Sequence, residues 1–150
     1  MASLMEEQME SWYRQWTRVD RLYEEFAQRR GITMTALSVL RWLEQQGPST
    51  QRALSQGLGY PKQTLSSLVQ GLENQGYILR QTCQEDRRSS RIELTESGRA
   101  LARQVLGALR AAERAAFDAL GEQGRAAFTH YNEALTQALE RAMDRKEGTS

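Results

Sequence analysis

Lys62, Gln63, Thr64, Ser66, Ser67 and Gln70 offer the most chemistry in this chain, because they share one side of a segment whose other side is apolar. Leu65, Leu68, Val69 and Leu72 fall at i, i+3, i+4 and i+7, the spacing of a buried helical stripe. The polar side carries no acid before Glu73. Exposed helices ordinarily mix charges of both signs. This one instead offers amides, hydroxyls and a cation, which can hydrogen-bond to base edges and phosphates in a major groove, where a carboxylate would be repelled. An ordinary solvated helix face is the plainer reading of the same residues.

A second constellation follows at Arg80, Arg87, Arg88 and Arg91. The guanidinium fork matches phosphate oxygens in pairs. Placed at a hairpin tip it can also enter a narrow, negative minor groove. Asp86, two residues before Arg88, is spaced to hold that guanidinium by a charge-assisted bond. A charged, solvated turn would account for the loop alone, but the two elements together form one continuous footprint.

Catalytic and metal chemistry find little support. The chain has one cysteine, Cys83, and one histidine, His130. They cannot make an intrachain disulfide, a Cys/His zinc site or a Cys-x-x-Cys pair. Gly-x-Gly-x-x-Gly, a Walker loop and Gly-x-Ser-x-Gly are absent, and any triad would need His130. The expectation is a protein that is not an enzyme and uses no cofactor and no metal. His130 reads as a packing or dimer-surface residue.

These residues must be positioned by a chain of 150 residues, the size of one domain with room for an oligomerisation element. A mean hydropathy of −0.67 suits long helices with one wet face. The formal net charge is +1, which argues against coating nucleic acid by bulk charge. The charge is unevenly spread, however. Residues 1–49 and 93–150 each carry net −1, whereas residues 50–92 carry net +3, from Arg52, Lys62, Arg80, Arg87, Arg88 and Arg91 against Glu73, Glu85 and Asp86. The start of the chain is acidic and no run of eighteen apolar residues occurs, so a cytoplasmic, membrane-free protein is expected.

Ser3 and Glu6 read as a capping box for a helix of about 25 residues. Met5, Met9, Trp12, Trp16, Val19, Tyr23 and Phe26 give it an unbroken stripe that Gly31 stops. That stripe must meet the rest of the chain or another copy. Thr33 caps a second helix through Leu43. Ser49 or Thr50 opens a short third, and Pro61 stands at the first turn of the fourth. The period then changes to two strands, 77–82 and 91–95, around the polar loop 83–90. Thr95 caps a long helix, Gly121 interrupts it, and an alanine-rich helix follows.

With these elements in order, the chain resembles the MarR family of bacterial transcriptional regulators. The likeness is carried by the segment Leu54 to Val69, by Leu72-Glu73 leading to Gly76, by Asp86 with Arg88, and by Leu94-Thr95 leading to Gly98. It implies a mainly α fold with a small β wing: a winged helix-turn-helix DNA-binding domain over residues 31–95, and a helical dimerisation region over 1–30 and 96–150. It also implies a homodimer on double-stranded, pseudo-palindromic operator DNA, with half-sites about 10–10.5 base pairs apart.

The expected DNA-contacting residues are Thr50, Gln51, Pro61, Lys62, Gln63, Thr64, Ser66, Ser67, Gln70, Arg80, Arg87, Arg88 and Arg91, with Asp86 structuring the wing. Met9, Leu135, Leu139 and Met143 are the expected dimer contacts. Members of the family are commonly released from DNA by aromatic or phenolic ligands, by cysteine oxidation or by zinc. Zinc fits poorly with one histidine. Trp12, Trp16, Tyr23 and Trp42 are the candidate ligand-facing aromatics, although aromatics at helical spacing also read as core. Arg14, Arg18 or Arg21 could meet a ligand carboxylate, or equally pair with Glu24 and Glu25.

The function expected is a repressor of a nearby operon, released by a small aromatic ligand. Cys83 keeps two readings, an incidental thiol or an oxidant sensor favoured by nearby arginines. A helical dimeric module that binds another protein is the remaining alternative.

Overall fold

Ser3 and Glu6 do close a capping box. The Ser3 hydroxyl accepts from the Glu6 amide at 3.3 Å, and the Glu6 carboxylate accepts from the Ser3 amide. Helix α1 then runs over Leu4–Gln28. The computed structural model describes residues 3–82 and 90–147, with side chains over 3–81 and 90–144. Gly31, at φ 74°, supplies the left-handed turn that ends the first segment. Glu24 then spans the turn, its Oε2 accepting from the Met34 amide at 3.3 Å at the start of α2 (Met34–Gln46). A carboxylate there suits the exposed amides of a helix N-terminus.

Thr33 caps α2 by accepting from the Ala36 amide at 3.1 Å, and Leu37, Val39, Leu40 and Leu43 bury one face of the helix. The next elements are β1 (Ser49–Thr50), α3 (Gln51–Leu58), α4 (Lys62–Asn74), β2 (Ile78–Thr82), β3 (Ser90–Leu94), α5 (Glu96–Ala119) and α6 (Gly121–Glu147). The sheet has order β1-β3-β2 and is antiparallel throughout. Ser49 pairs with Ile92, Arg80 with Ile92 from the other side, and Thr82 with Ser90. Strand β1 is an addition to the expected pair. Two residues carry no period, and Thr50 doubles as the cap of α3 through its bond to the Ala53 amide, 3.1 Å.

The chain divides into two compact units, residues 1–109 and 110–150. The core of the first brings together Leu37 and Leu40 of α2, Leu54 of α3, Leu65 and Val69 of α4, Ile78 and Ile92 of the sheet, and Val105 and Leu106 of α5, all almost fully buried. One clasp closes this unit. The Thr95 hydroxyl donates to the Gly76 carbonyl at 2.6 Å and accepts from the Gly98 amide at 3.1 Å, so the cap of α5 also holds the turn after α4.

In the second unit, none of the described residues is buried. The rings of Phe117 and Phe128 meet edge to face at 5.9 Å, while Phe128, Tyr131, Leu135 and Met143 stay exposed. No described helix is long and apolar enough to cross a membrane.

Candidate nucleic-acid interface

Three local devices set the angle between α3 and α4. Thr50 fixes the start of α3, Gly59 ends it in the left-handed conformation at φ 70°, and the Ser55 hydroxyl donates to the Tyr60 carbonyl at 2.7 Å across the turn. Pro61 then adopts φ −54° and ψ 144°. Its extended ψ makes it the N-cap of α4, one position before the first-turn site expected of it. It offers no side-chain cap, so the first-turn amides of α4 have no side-chain acceptor. With Lys62 beside them and no acid in that turn, this helix end is electropositive.

Leu65, Val69 and Leu72 bury the inner face of α4, with Leu68 half-buried beside them. Lys62, Gln63, Thr64, Ser66, Ser67 and Gln70 are all exposed on the other side. Gln70 is braced by Asn74, its Nε2 donating to Oδ1 at 3.0 Å. Two adjoining hollows, of about 380 and 550 Å³, open between α3 and α4 and share Gln51 and Lys62. Gln63 and Ser66 line the smaller, while Arg52, Ser55 and Gln56 line the larger.

Arg52 joins this surface although it is not among the expected contacts. Its signal in the sequence is its place in the first turn of α3, beside Gln51. No acidic residue occurs between Glu44 and Glu73, so the whole helix-turn-helix presents neutral polar groups and two cations.

The wing side is more mixed. Arg91 is exposed on β3, opposite Gln81 and Thr50. Arg80 instead donates from Nε to Glu73 Oε2 at 3.1 Å, and both side chains are about two-thirds covered, at 31% and 33% exposure. Thr50 commits its hydroxyl to the α3 cap. Cys83, Asp86, Arg87 and Arg88 lie outside the described residues.

Trp12 and Trp16 are neighbours on α1, with ring centroids 5.4 Å apart. Tyr23 packs half-buried against the core. Trp42 packs partly buried between α2 and α3. Its ring lies over Gly57 of α3, and its Nε1 donates to Ser49 Oγ at 3.1 Å. The indole is large enough to fill the space between α2 and α3, and its one polar atom is satisfied there.

Arg14, Arg18 and Arg21 line a shallow hollow of about 350 Å³ along α1, and Arg21 also faces Glu25 at 3.7 Å. Glu24 is engaged by Gln28 and the Met34 amide. Met9 on α1, and Leu135 and Met143 on α6, are exposed, while Leu139 is half-buried.

Comparison with known proteins agrees with this geometry. The model of the MarR family matches residues 30–89, starting in the turn after α1 and taking in α2, α3, α4 and β2. A MarR family regulator from Neisseria meningitidis is 22% identical, with a TM-score of 0.74 over 93% of this chain and 98% of that one. AbsC, a MarR family transcriptional regulator from Streptomyces coelicolor, is 22% identical, with a TM-score of 0.78 over 96% and 98%. BpsR of Bordetella bronchiseptica, whose DNA binding is regulated by 6-hydroxynicotinic acid, is 18% identical, with a TM-score of 0.71 over 86% and 98%.

Proposed function

We propose that this chain, whose residues 30–89 match the model of the MarR family, is a winged-helix regulator that represses a nearby operon as a homodimer on a pseudo-palindromic operator, and that a small aromatic ligand releases it. The observation that carries the DNA-binding half is the cleft between α3 and α4. Gln51, Arg52, Lys62, Gln63 and Ser66 share one acid-free surface ahead of an electropositive helix end. Such a surface positions itself by phosphate contacts at its cations and reads bases with its amides and hydroxyls.

The exposed stripe of α1 with Met9, and the α6 residues Leu135, Leu139 and Met143, supply apolar surface for a second copy. Two copies would double the central basic segment while the whole molecule stays near neutral. Release by an aromatic ligand is supported by the regulation of BpsR, and Trp12, Trp16, Tyr23 and Trp42 are the aromatics proposed for it.

The test is fluorescence anisotropy of the full chain with duplex DNA from upstream of its own gene, at several salt concentrations. About three phosphates neutralised per subunit give a slope of log K against log salt of about −5. Footprinting should show half-sites about 10–10.5 base pairs apart. A sedimenting dimer with no salt-sensitive binding to duplex DNA would overturn the proposal.

A further inference from the structure

Helix α3 carries Gln51 and Arg52 but has little of its own to hold it. It is 8 residues long, and Leu54 is its one buried residue, with Leu58 half-buried against the core. Strand β1, which leads into it, pairs with β3 only through Ser49 with Ile92 and Thr50 with Arg91. An element with so few buried apolar contacts is easily displaced.

Trp42 of α2 touches both ends of this segment. The benzo edge of its indole, Cζ2, Cζ3 and Cη2, lies over Gly57 in the last turn of α3, where even a Cβ would have no room. At the opposite edge Nε1 donates to Ser49 Oγ at 3.1 Å, and that hydroxyl donates onward to the Gly47 carbonyl at 3.0 Å. The onward bond fixes the rotation of the hydroxyl and leaves a lone pair for the indole. A half-buried indole ordinarily finds a partner for its one polar atom. Here that partner stands on β1, one residue before the Thr50 cap of α3 and in register with β3.

We propose that Trp42 is a positioning residue for DNA recognition. Its indole spans α3 from Ser49 to Gly57 and fixes the swivel of that helix against β3, so that Gln51, Arg52 and Arg91 meet one duplex in register. Arg91 is exposed on β3 opposite Thr50, and Gln51 and Arg52 follow Thr50 directly. Trp42 acts through α3 rather than by touching the duplex. The effect is selective. Flexible cations find phosphates on any sequence, whereas reading bases requires the backbone to be held in place. A loosened α3 therefore loses preference for its operator before it loses general affinity. The role rests on the proposed DNA-binding function, whereas the Trp42–Ser49 bond does not.

Trp42→Phe keeps a ring but loses Nε1, Ser49→Ala removes the acceptor, and the double variant completes a cycle. In ¹⁵N-labelled full-length protein, one of the 3 indole N–H signals should vanish in Trp42→Phe, and that same signal should move in Ser49→Ala. By anisotropy, each single variant should lower the ratio of affinities for the upstream duplex and a scrambled one about three- to tenfold, the scale of one net hydrogen bond. Affinity for the scrambled duplex and the salt slope should stay unchanged, and the double variant should lose no more than either single one. Should Trp42→Phe not fold, Ser49→Ala alone must lower the ratio.

A Trp42 signal that ignores Ser49→Ala, equal losses on both duplexes, or losses that add in the double variant would overturn the positioning role. A wild type that binds no duplex would overturn the proposed DNA-binding function and this role with it. A wild type that binds, beside a folded Ser49→Ala that keeps its ratio, would overturn this role alone.

Discussion

Gly98, in the first turn of α5, lies against the backbone carbonyl of Tyr77 so closely that a Cβ on it would collide with that oxygen. The same carbonyl accepts from the Thr95 amide at 3.1 Å, and Thr95 and Ser97 both donate to the Gly76 carbonyl. The start of α5 is thereby fastened to the turn through which α4 passes into the wing. A backbone neighbour cannot rotate away as a side chain can, so the fit leaves no room to relax.

Gly98→Ala should therefore destabilise the protein by about 1–3 kcal/mol, the range of overpacked core sites. Gly71→Ala should stabilise it by about 0.5–1 kcal/mol, because its Cβ enters open space within a helix. Thermal unfolding of the two variants beside the wild type decides this. A Gly98→Ala midpoint equal to the wild type would mean that α5 can shift off Tyr77.

Gly57 and Trp42 form a second close fit, since a Cβ on Gly57 would run into the indole ring. Gly57→Ala should cost about 1–3 kcal/mol, and much of that loss should return when Trp42 is also made Leu, which removes the ring. Urea titration of the two single variants and the double variant measures the coupling. Additive losses would show that the indole does not rest on α3.

Much of this architecture is legible in the sequence because its signals are local. The Ser3 and Glu6 box, the Thr33, Thr50 and Thr95 caps and the stripe Leu65–Leu72 each depend on residues within a turn or two of one another. The contacts that decide site membership do not. Glu24 reaches the Met34 amide ten residues away, Glu73 takes Arg80, and Trp42 settles over Gly57. Nothing in the spacing of Trp42 separates a ring packed between α2 and α3 from one that lines a pocket. Only the tertiary fold makes that choice. Strand β1 is illegible for another reason, since Ser49 and Thr50 are too few to show alternation.

On DNA, the cations and the amides of the cleft should separate cleanly. Arg52→Ala or Lys62→Ala removes about one phosphate partner per subunit. In a homodimer that shallows a salt slope of about −5 by about two units, with similar weakening on all sequences. Gln63→Ala or Ser67→Ala should leave the slope alone and relax preference at particular bases, at about 1–3 kcal/mol for each bidentate base pairing removed. Anisotropy on the operator and on scrambled duplexes, at several salt concentrations, reads both quantities. The reverse pattern would place the wrong side chains in the groove.

The Glu73–Arg80 pair should restrain DNA binding. Arg80 is expected at the phosphates, but its Nε is held by Glu73 at 3.1 Å, next to the last turn of α4. An ion pair with about a third of each side chain exposed contributes little to stability, about 0–1 kcal/mol. Glu73→Gln keeps the shape, removes one negative charge near the duplex and loosens the guanidinium. The variant should fold with a nearly unchanged unfolding midpoint, bind non-specific duplex more tightly and show a steeper salt slope. Arg80→Ala in the Glu73→Gln background should cancel that gain, because the freed guanidinium is its source. If Glu73→Gln tightens binding equally with and without Arg80, the gain comes from removing the carboxylate alone, and Arg80 takes no part in holding DNA.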